Sequence, residues 1–249
     1  MAFLIGGANS ASGGYEVSNS LRFFGDAFLE QAISAGDKRK GTLSLWVKKS
    51  AIATDMYFFN AYVGTFANLT WWGFRFKNTD QLNLVSWTGD IDIRTSRLFR
   101  DPSAWYHIVF GIDTTQGTAA DRVKIYVNGV RETSFALGNY PAENADVDAL
   151  GSDGAEYLIG SSASGSQSST TYSSYLDSHI SDFNYVQGEA LAPTEFGEFD
   201  EDSGIWKPKS ASVTYGTNGF FLEFKETGTD ADASGIGADT SGEDNHFAV

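Results

Sequence analysis

The chain predicts an all-β fold, a jelly-roll sandwich of two antiparallel sheets, and three observations carry that prediction. Residues 105–113 and 122–130 are apolar runs rich in β-branched and aromatic residues, and the second closes on Asn128-Gly129, a pair suited to a tight turn with positive φ. Further runs of four to eight residues recur between polar turns, the spacing of sandwiches and jelly rolls. Aromatic residues make up 14% and hydrophobic residues 41% of the 249 positions, enough to fill a broad core between two sheets.

Element by element, residues 1–19 are rich in Gly, Ser, Ala and Asn and predict a short extended N-terminal arm, with Phe3, Leu4, Ile5 and Tyr15 as the side chains a partner would hold. The sandwich is expected over residues 20–249. Leu21-Arg-Phe-Phe-Gly-Asp-Ala-Phe-Leu29 reads as strand, turn, strand. Residues 43–49 alternate, with Leu43, Leu45 and Val47 on one face and Ser44, Trp46 and Lys48 on the other. Residues 56–63, 71–77, 81–87 and 91–95 are further strands. Residues 100–105 lead into the 105–130 hairpin. An acidic, Gly-rich crossing then precedes a strand at Tyr157-Leu-Ile-Gly160, and the Ser/Thr/Gly tract 161–174 predicts a mobile surface loop. A strand follows at 179–185, then a helical turn begun by Pro193, whose missing N–H would be unpaired there anyway.

Several of these blocks carry a resemblance. The succession Trp105-Tyr-His-Ile, Asp113-Thr-Thr, Lys124-Ile-Tyr-Val-Asn-Gly129 resembles the central hairpin of the concanavalin A-like lectin/glucanase superfamily, in its laminin-G-like branch. Ala190-Leu-Ala-Pro-Thr-Glu-Phe196 resembles the turn of helix that follows the last long strand there. The tail-side block, Phe196 to Pro208, then Tyr215-Gly-Thr-Asn-Gly-Phe-Phe-Leu-Glu-Phe224 and Gly237 to Gly242, is similar to a subfamily found in virion proteins of tailed bacteriophages. The resemblance implies a concanavalin A-like fold. That fold serves lectins, glycoside hydrolases and structural virion proteins alike, so it does not by itself set the function.

Composition removes several classes. A net charge of −15 repels phosphate backbones and anionic membranes, so neither nucleic acid nor a membrane is an expected partner. With no cysteine, disulfides, zinc–thiolate sites and thiol nucleophiles are excluded. The first residues lack the basic and apolar regions of a signal peptide, and no apolar run is long enough to span a bilayer.

The glucanase branch implies a Glu-x-Asp-x-x-Glu strand that sets two carboxylates about 5 to 5.5 Å apart. In Glu195-Phe-Gly-Glu198-Phe-Asp200-Glu-Asp202 the residue three after Asp200 is Ser203, so that spacing fails and no enzyme is expected. His107 lies within a strand pattern and reads as scaffold, and His179 and His246 have no triad partners nearby in sequence. No cofactor is required on this reading, but calcium is a candidate because the superfamily often uses it. Asp230-Ala-Asp232-Ala-Ser-Gly235 copies the first half of an EF-hand loop, yet Ser241 stands where the bidentate Glu belongs, so a flexible polar tail is the favoured reading of this stretch. Asp26 and Asp182 resemble acidic positions that laminin-G-like domains place near a metal.

Sugar recognition needs an aromatic ring for the apolar sugar face and polar groups for its hydroxyls. Trp71, Trp72, Trp87 and Tyr62 are the candidate rings, with Asn68, Asn78 and Asp90 beside them. Trp71 and Trp72 must point to opposite sides of a strand, so at most one faces the core. The expected function is a non-enzymatic virion surface subunit made in a host cytoplasm. A capsid decoration protein, homo-oligomeric on the particle and bound to capsid or other virion proteins, is preferred because one globular region behind a short arm lacks the trimeric shaft of a fibre. A carbohydrate-binding receptor module of a tail fibre or spike is the alternative, and cell-surface glycans are partners on either reading.

Overall fold

The structure, a computed structural model, describes residues 14–64, 68–147, 149–166 and 169–249. In chain order its strands are β1 (Leu21–Phe24), β2 (Leu29–Ala32), β3 (Lys40–Lys49), β4 (Met56–Val63), β5 (Thr70–Phe76), β6 (Leu82–Ser86), β7 (Asp92–Thr95), β8 (Tyr106–Asp113) and β9 (Val123–Val127). They continue with β10 (Val130–Arg131), β11 (Phe135–Asn139), β12 (Glu156–Ile159), β13 (Ser162–Ser166), β14 (Ser169–Ser173), β15 (Asp177–Gln187), β16 (Gly197–Phe199), β17 (Trp206–Pro208) and β18 (Phe220–Leu222). One seven-stranded sheet runs β1-β15-β3-β8-β9-β10, with β18 also on β15, and the other runs β11-β7-β6-β5-β4-β12-β2. Neighbouring strands are antiparallel, as the alternating sequence pattern requires of sheets with one solvated face.

The core lies between the two inner faces. Phe59 of β4 meets Trp72 and Tyr157 from its own sheet and Phe183, Tyr185 and Phe220 from the opposite one, all with ring centroids 4.9 to 6.5 Å apart. Leu43, Leu45 and Val47 point into this core from β3, as their alternation predicts. One ion pair is buried with it. The Lys49 ammonium donates to Asp80 Oδ1 at 2.8 Å and to the Phe99 carbonyl at 2.9 Å, and it lies 4.4 Å from the Phe76 ring centroid.

Three segments depart from the sequence expectation. The described residues of the tract 161–174, expected as a mobile loop, form the paired strands β13 and β14, with Ser161, Ser162 and Ala163 buried. Its hydroxyls are satisfied locally: Ser162 Oγ donates to the Ser173 carbonyl at 3.0 Å, and Asn60 Oδ1 of β4 accepts the Ala163 N–H at 3.0 Å. The Tyr172 ring packs on Phe28 at 4.4 Å. The crossing after Val130 contains two edge strands, β10 and β11, and β11 pairs with β7 through a register shift that breaks its alternation. The Asp230–Gly235 stretch, expected as flexible tail, is tied by a bridge between Gly228 and Gly235, and the chain end beyond it pairs Gly237 with Phe247 and Glu30 with Ala248.

The long strand β15 bulges between Ser181 and Asn184 against β3, and Asp182 adopts φ +45° there. Residues 15–19, at the end of the predicted arm, come down on this bulge. Ser181 Oγ–H donates to the Asn19 carbonyl, and half-buried Tyr15 stands over Asp182. Burial raises the Asp182 carboxyl to about 6; the nearby Glu223 carboxylate adds to the rise, and the Tyr15 hydroxyl opposes it. The folded state therefore binds this proton more tightly than the unfolded chain, so the contribution is full below the ordinary value of 3.8 and disappears as pH rises through about 6. Asp182→Asn, which keeps the shape and tolerates positive φ, is expected to stabilise the protein by about 1–2 kcal/mol at pH 7.5 and by little at pH 4. Urea unfolding at the two pH values checks it; equal effects would count against the assignment.

Candidate functional site

The outer face of the β4–β7 region is built by cross-strand rows. Because Trp72, Phe74 and Phe76 of β5 fill the core, Trp71, Gly73 and Arg75 must face outward. Pairing then aligns Tyr57, Arg75, Asn83 and Arg94 in one row, and Asn60, Gly73, Val85 and Asp92 in the next. Beyond them the Trp87 N–H donates to the Trp71 carbonyl at 2.8 Å, which sets the two indoles beside each other at 6.2 Å. Trp87 is 61% exposed. Trp71 is held from the other side by the edge of Tyr57, ring centroids 6.1 Å apart at 81°. Gly73 makes this possible, since a Cβ there would stand 2.5 Å from the Tyr57 ring. Among the described residues the buried Trp71 indole N–H has no hydrogen-bond partner, so packing alone orients the ring.

Polar groups continue the face. Arg75 Nε donates to Asn83 Oδ1 at 3.0 Å, Asn83 Nδ2 donates to Asp92 Oδ1 at 2.9 Å, and Arg94 holds both Asp92 oxygens at 3.0 and 2.5 Å. The Arg75 guanidinium also covers the Tyr57 ring at 5.2 Å, and burial pushes the Tyr57 phenol up to about 12. The result is a rigid strip, aromatic at one end and charged at the other.

Several predicted residues fall elsewhere. Trp72 is 1% exposed in the core beneath this face, so it cannot touch a ligand; of the adjacent indoles only Trp71 is on the outside, as the strand geometry requires. Tyr62 is under the β13–β14 pair, its hydroxyl bonded to Glu156, and is also removed from the open face. Asn68 and Asp90 are exposed, Asp90 next to Gly89 in the turn that follows Trp87. Asn78 donates its backbone N–H to Asp55 Oδ1 at 3.1 Å. The sequence reading did not select Tyr57, Arg75, Asn83, Asp92 or Arg94, although writing out the outward residues of each strand would have listed the last four.

The four acidic candidates for a metal do not come together. Asp232 Oδ1 accepts both the N–H and the hydroxyl of Ser234, Asp182 faces Tyr15, and Asp26 and Asp230 are exposed. Among the described residues no three Asp, Glu or His side chains gather as a metal would need, and this donor set does not fit the calcium that the resemblance implied. Tyr15, chosen as a partner contact, is turned onto its own domain, whereas Phe3, Leu4 and Ile5 lie outside the described residues.

Two places resemble catalytic groups. His107 is 1% exposed; Trp206 Nε1 donates to its Nδ1 at 2.9 Å, so Nε2 carries the hydrogen and donates to Ser44 Oγ at 2.9 Å. Burial pulls its pKa down to about 3. A histidine that donates to the serine cannot take that serine's proton, so the pair is scaffold. An open cleft of about 470 Å³ is lined by Glu30, Glu156, Asp244 and His246. Burial raises the Glu30 carboxyl, the Glu156 charge adds to this, and Glu156 itself accepts the Tyr62 hydroxyl. Glu198 and Asp200, from the stretch weighed as a glucanase strand, both pair with Lys207, at 3.4 and 3.1 Å.

The Concanavalin A-like lectin/glucanases superfamily matches residues 27–184, more than half of the chain. No curated protein matches. Solved structures show distant likeness. A heptameric SAP-like pentraxin from Limulus polyphemus is 18% identical over 70% of this chain and 77% of its own, with a TM-score of 0.49. Domain 4 of an extracellular arabinanase from Geobacillus stearothermophilus, in complex with arabinotriose, is 17% identical over 73% and 76%, with a TM-score of 0.44. Domains LG4-5 of the mouse laminin alpha1 chain are 14% identical over 82% and 48%, with a TM-score of 0.45.

Proposed function

We propose, from the premise that this chain belongs to the Concanavalin A-like lectin/glucanases superfamily, that it is a non-catalytic saccharide-binding protein of a virion surface. The observation that carries the binding part is the Trp71–Trp87 pair, ring centroids 6.2 Å apart, on an outer sheet face that continues into a polar row whose partly exposed members are Asp92 and Arg94, with buried Asn83 fixing Asp92. A pyranose has an apolar face that covers an indole and a rim of hydroxyls that such a row can hold. The strip is preformed by packing, so little ordering entropy opposes binding.

The non-catalytic part is supported by a histidine that donates to Ser44 and by carboxylates at Glu198 and Asp200 that are both engaged by the one Lys207 ammonium. The virion part is supported by the similarity of the tail-side block, residues 196–242, to virion proteins of tailed phages. Within the particle, a capsid decoration subunit is the preferred place, with the arm at residues 1–19 as its attachment. The test is imaging of labelled full-length protein added to particles, together with a chain lacking residues 1–19. Many copies over the head lattice, lost with the arm, are expected. Label confined to the tail would replace decoration by the receptor role, and equal head binding without the arm would remove the arm from docking.

A further inference from the structure

The charged end of the strip is unlike the rest of the molecule. On a chain of net charge −15, Arg75 of β5, Lys77 just after that strand and Arg94 of β7 stand together against two carboxylates, Asp55 and Asp92. The two guanidinium groups are only partly used. Arg94 gives Nε and Nη2 to Asp92, and Arg75 gives Nε to Asn83 and has Nη1 3.6 Å from Asp55. Among the described residues Arg75 Nη2, Arg94 Nη1 and the Lys77 ammonium have no protein acceptor. Burial pushes the Lys77 ammonium below its ordinary range, and the Arg75 and Arg94 charges push the same way. A local surplus of one positive charge, with donors left over, is a place where an anion relieves repulsion.

We infer that this end of the strip receives the carboxylate of one residue of an acidic oligosaccharide, such as an oligouronate, while another residue of the same sugar chain lies on Trp71 and Trp87. The inference rests on the saccharide-binding reading above. A carboxylate is preferred to the dense sulfation of a polysulfated chain because the protein as a whole carries a net charge of −15. One charge per sugar can be met by the local surplus, whereas a densely sulfated chain would be repelled along its length.

Calorimetric titration of the full chain with trimers of galacturonate, glucuronate and mannuronate, and with their neutral methyl esters, tests this. At least one acid is expected to bind about tenfold more tightly than its ester, the contribution of one charge-assisted hydrogen bond, with the advantage shrinking at high salt. Lys77→Gln is expected to remove that advantage and leave ester binding unchanged, and Lys77→Arg to restore it. Thermal melts establish that both variants fold. Acid and ester bound equally by the wild type, a preference that survives Lys77→Gln, or tighter binding of dextran sulfate than of any uronate would each overturn the inference while the saccharide-binding reading stands. No binding of acids, esters or a neutral glycan array would overturn both.

Discussion

Asp80→Asn is expected to destabilise the fold by about 3 kcal/mol and to lower the melting temperature by on the order of 10 °C. Asp80 is 2% exposed and adopts φ +63°, which Asn tolerates, so the substitution leaves the backbone alone and removes only the charge. That charge answers Lys49, which no solvent reaches. Burial works against the Asp80 carboxylate, but hydrogen bonds from Lys49, the Ala53 N–H and Arg100 outweigh it and hold the group below its ordinary value. Burial likewise pulls the Lys49 ammonium down, and Asp80 keeps it charged.

A carboxyl depressed in the folded state contributes stability above its unfolded pKa of about 3.9, and the contribution is lost as pH falls through the lower folded value. Wild-type stability should therefore fall steeply below about pH 4, and the Asn variant should show a shallower fall from a lower starting point. The double variant Lys49→Met with Asp80→Asn is expected to recover part of the loss, since no unpaired charge is then buried. Denaturant midpoints at pH 3 and pH 7 decide the matter. A single variant within experimental error of the wild type would mean that water reaches this pair.

Trp87→Ala is expected to weaken saccharide binding about thirtyfold or more with almost no change in melting temperature. An indole that loses most of its remaining exposed area on contact with a sugar ring contributes roughly 2 kcal/mol, and such an energy corresponds to that factor. The ring is largely outside the core, so its removal leaves no cavity. Trp71→Ala should abolish binding but also cost stability, because the Tyr57 edge and the Trp87 ring both pack on it. Trp72→Ala should destabilise by several kcal/mol, and any affinity loss should follow the unfolded fraction. Glycan-array binding followed by titration, with a melt on each variant, separates the three. Full affinity retained in Trp87→Ala would remove the strip as the site, and reducing ends released from a bound glycan would contradict the non-catalytic reading.

Much of the sandwich was legible because period-two alternation is a local property. Leu43, Leu45 and Val47 declare a buried face, and the Trp71-Trp72 pair declares that one indole is inside, without reference to any other strand. The polar pair β13–β14 was not legible, since its burial depends on Asn60 and Phe28, distant in sequence, which accept an N–H and support Tyr172. Asp182 gave no sign of its bulge, which arises from register against β3. The glycan strip was half legible: indoles can be found by eye, but their polar companions come from three strands that only pairing aligns.

What the amino-acid sequence determined by itself is therefore the all-β class, the strand that carries the hairpin turn, the acidic surface and the absence of thiol chemistry, each a consequence of local periodicity or composition. Tertiary structure alone decided which indole is exposed, that His107 donates to Ser44 and so cannot act as its base, that the acidic candidates do not meet, and that Arg75, Lys77 and Arg94 gather at the end of the strip away from Trp71. Those outcomes depend on register between strands and on burial, which are set by partners far away along the chain.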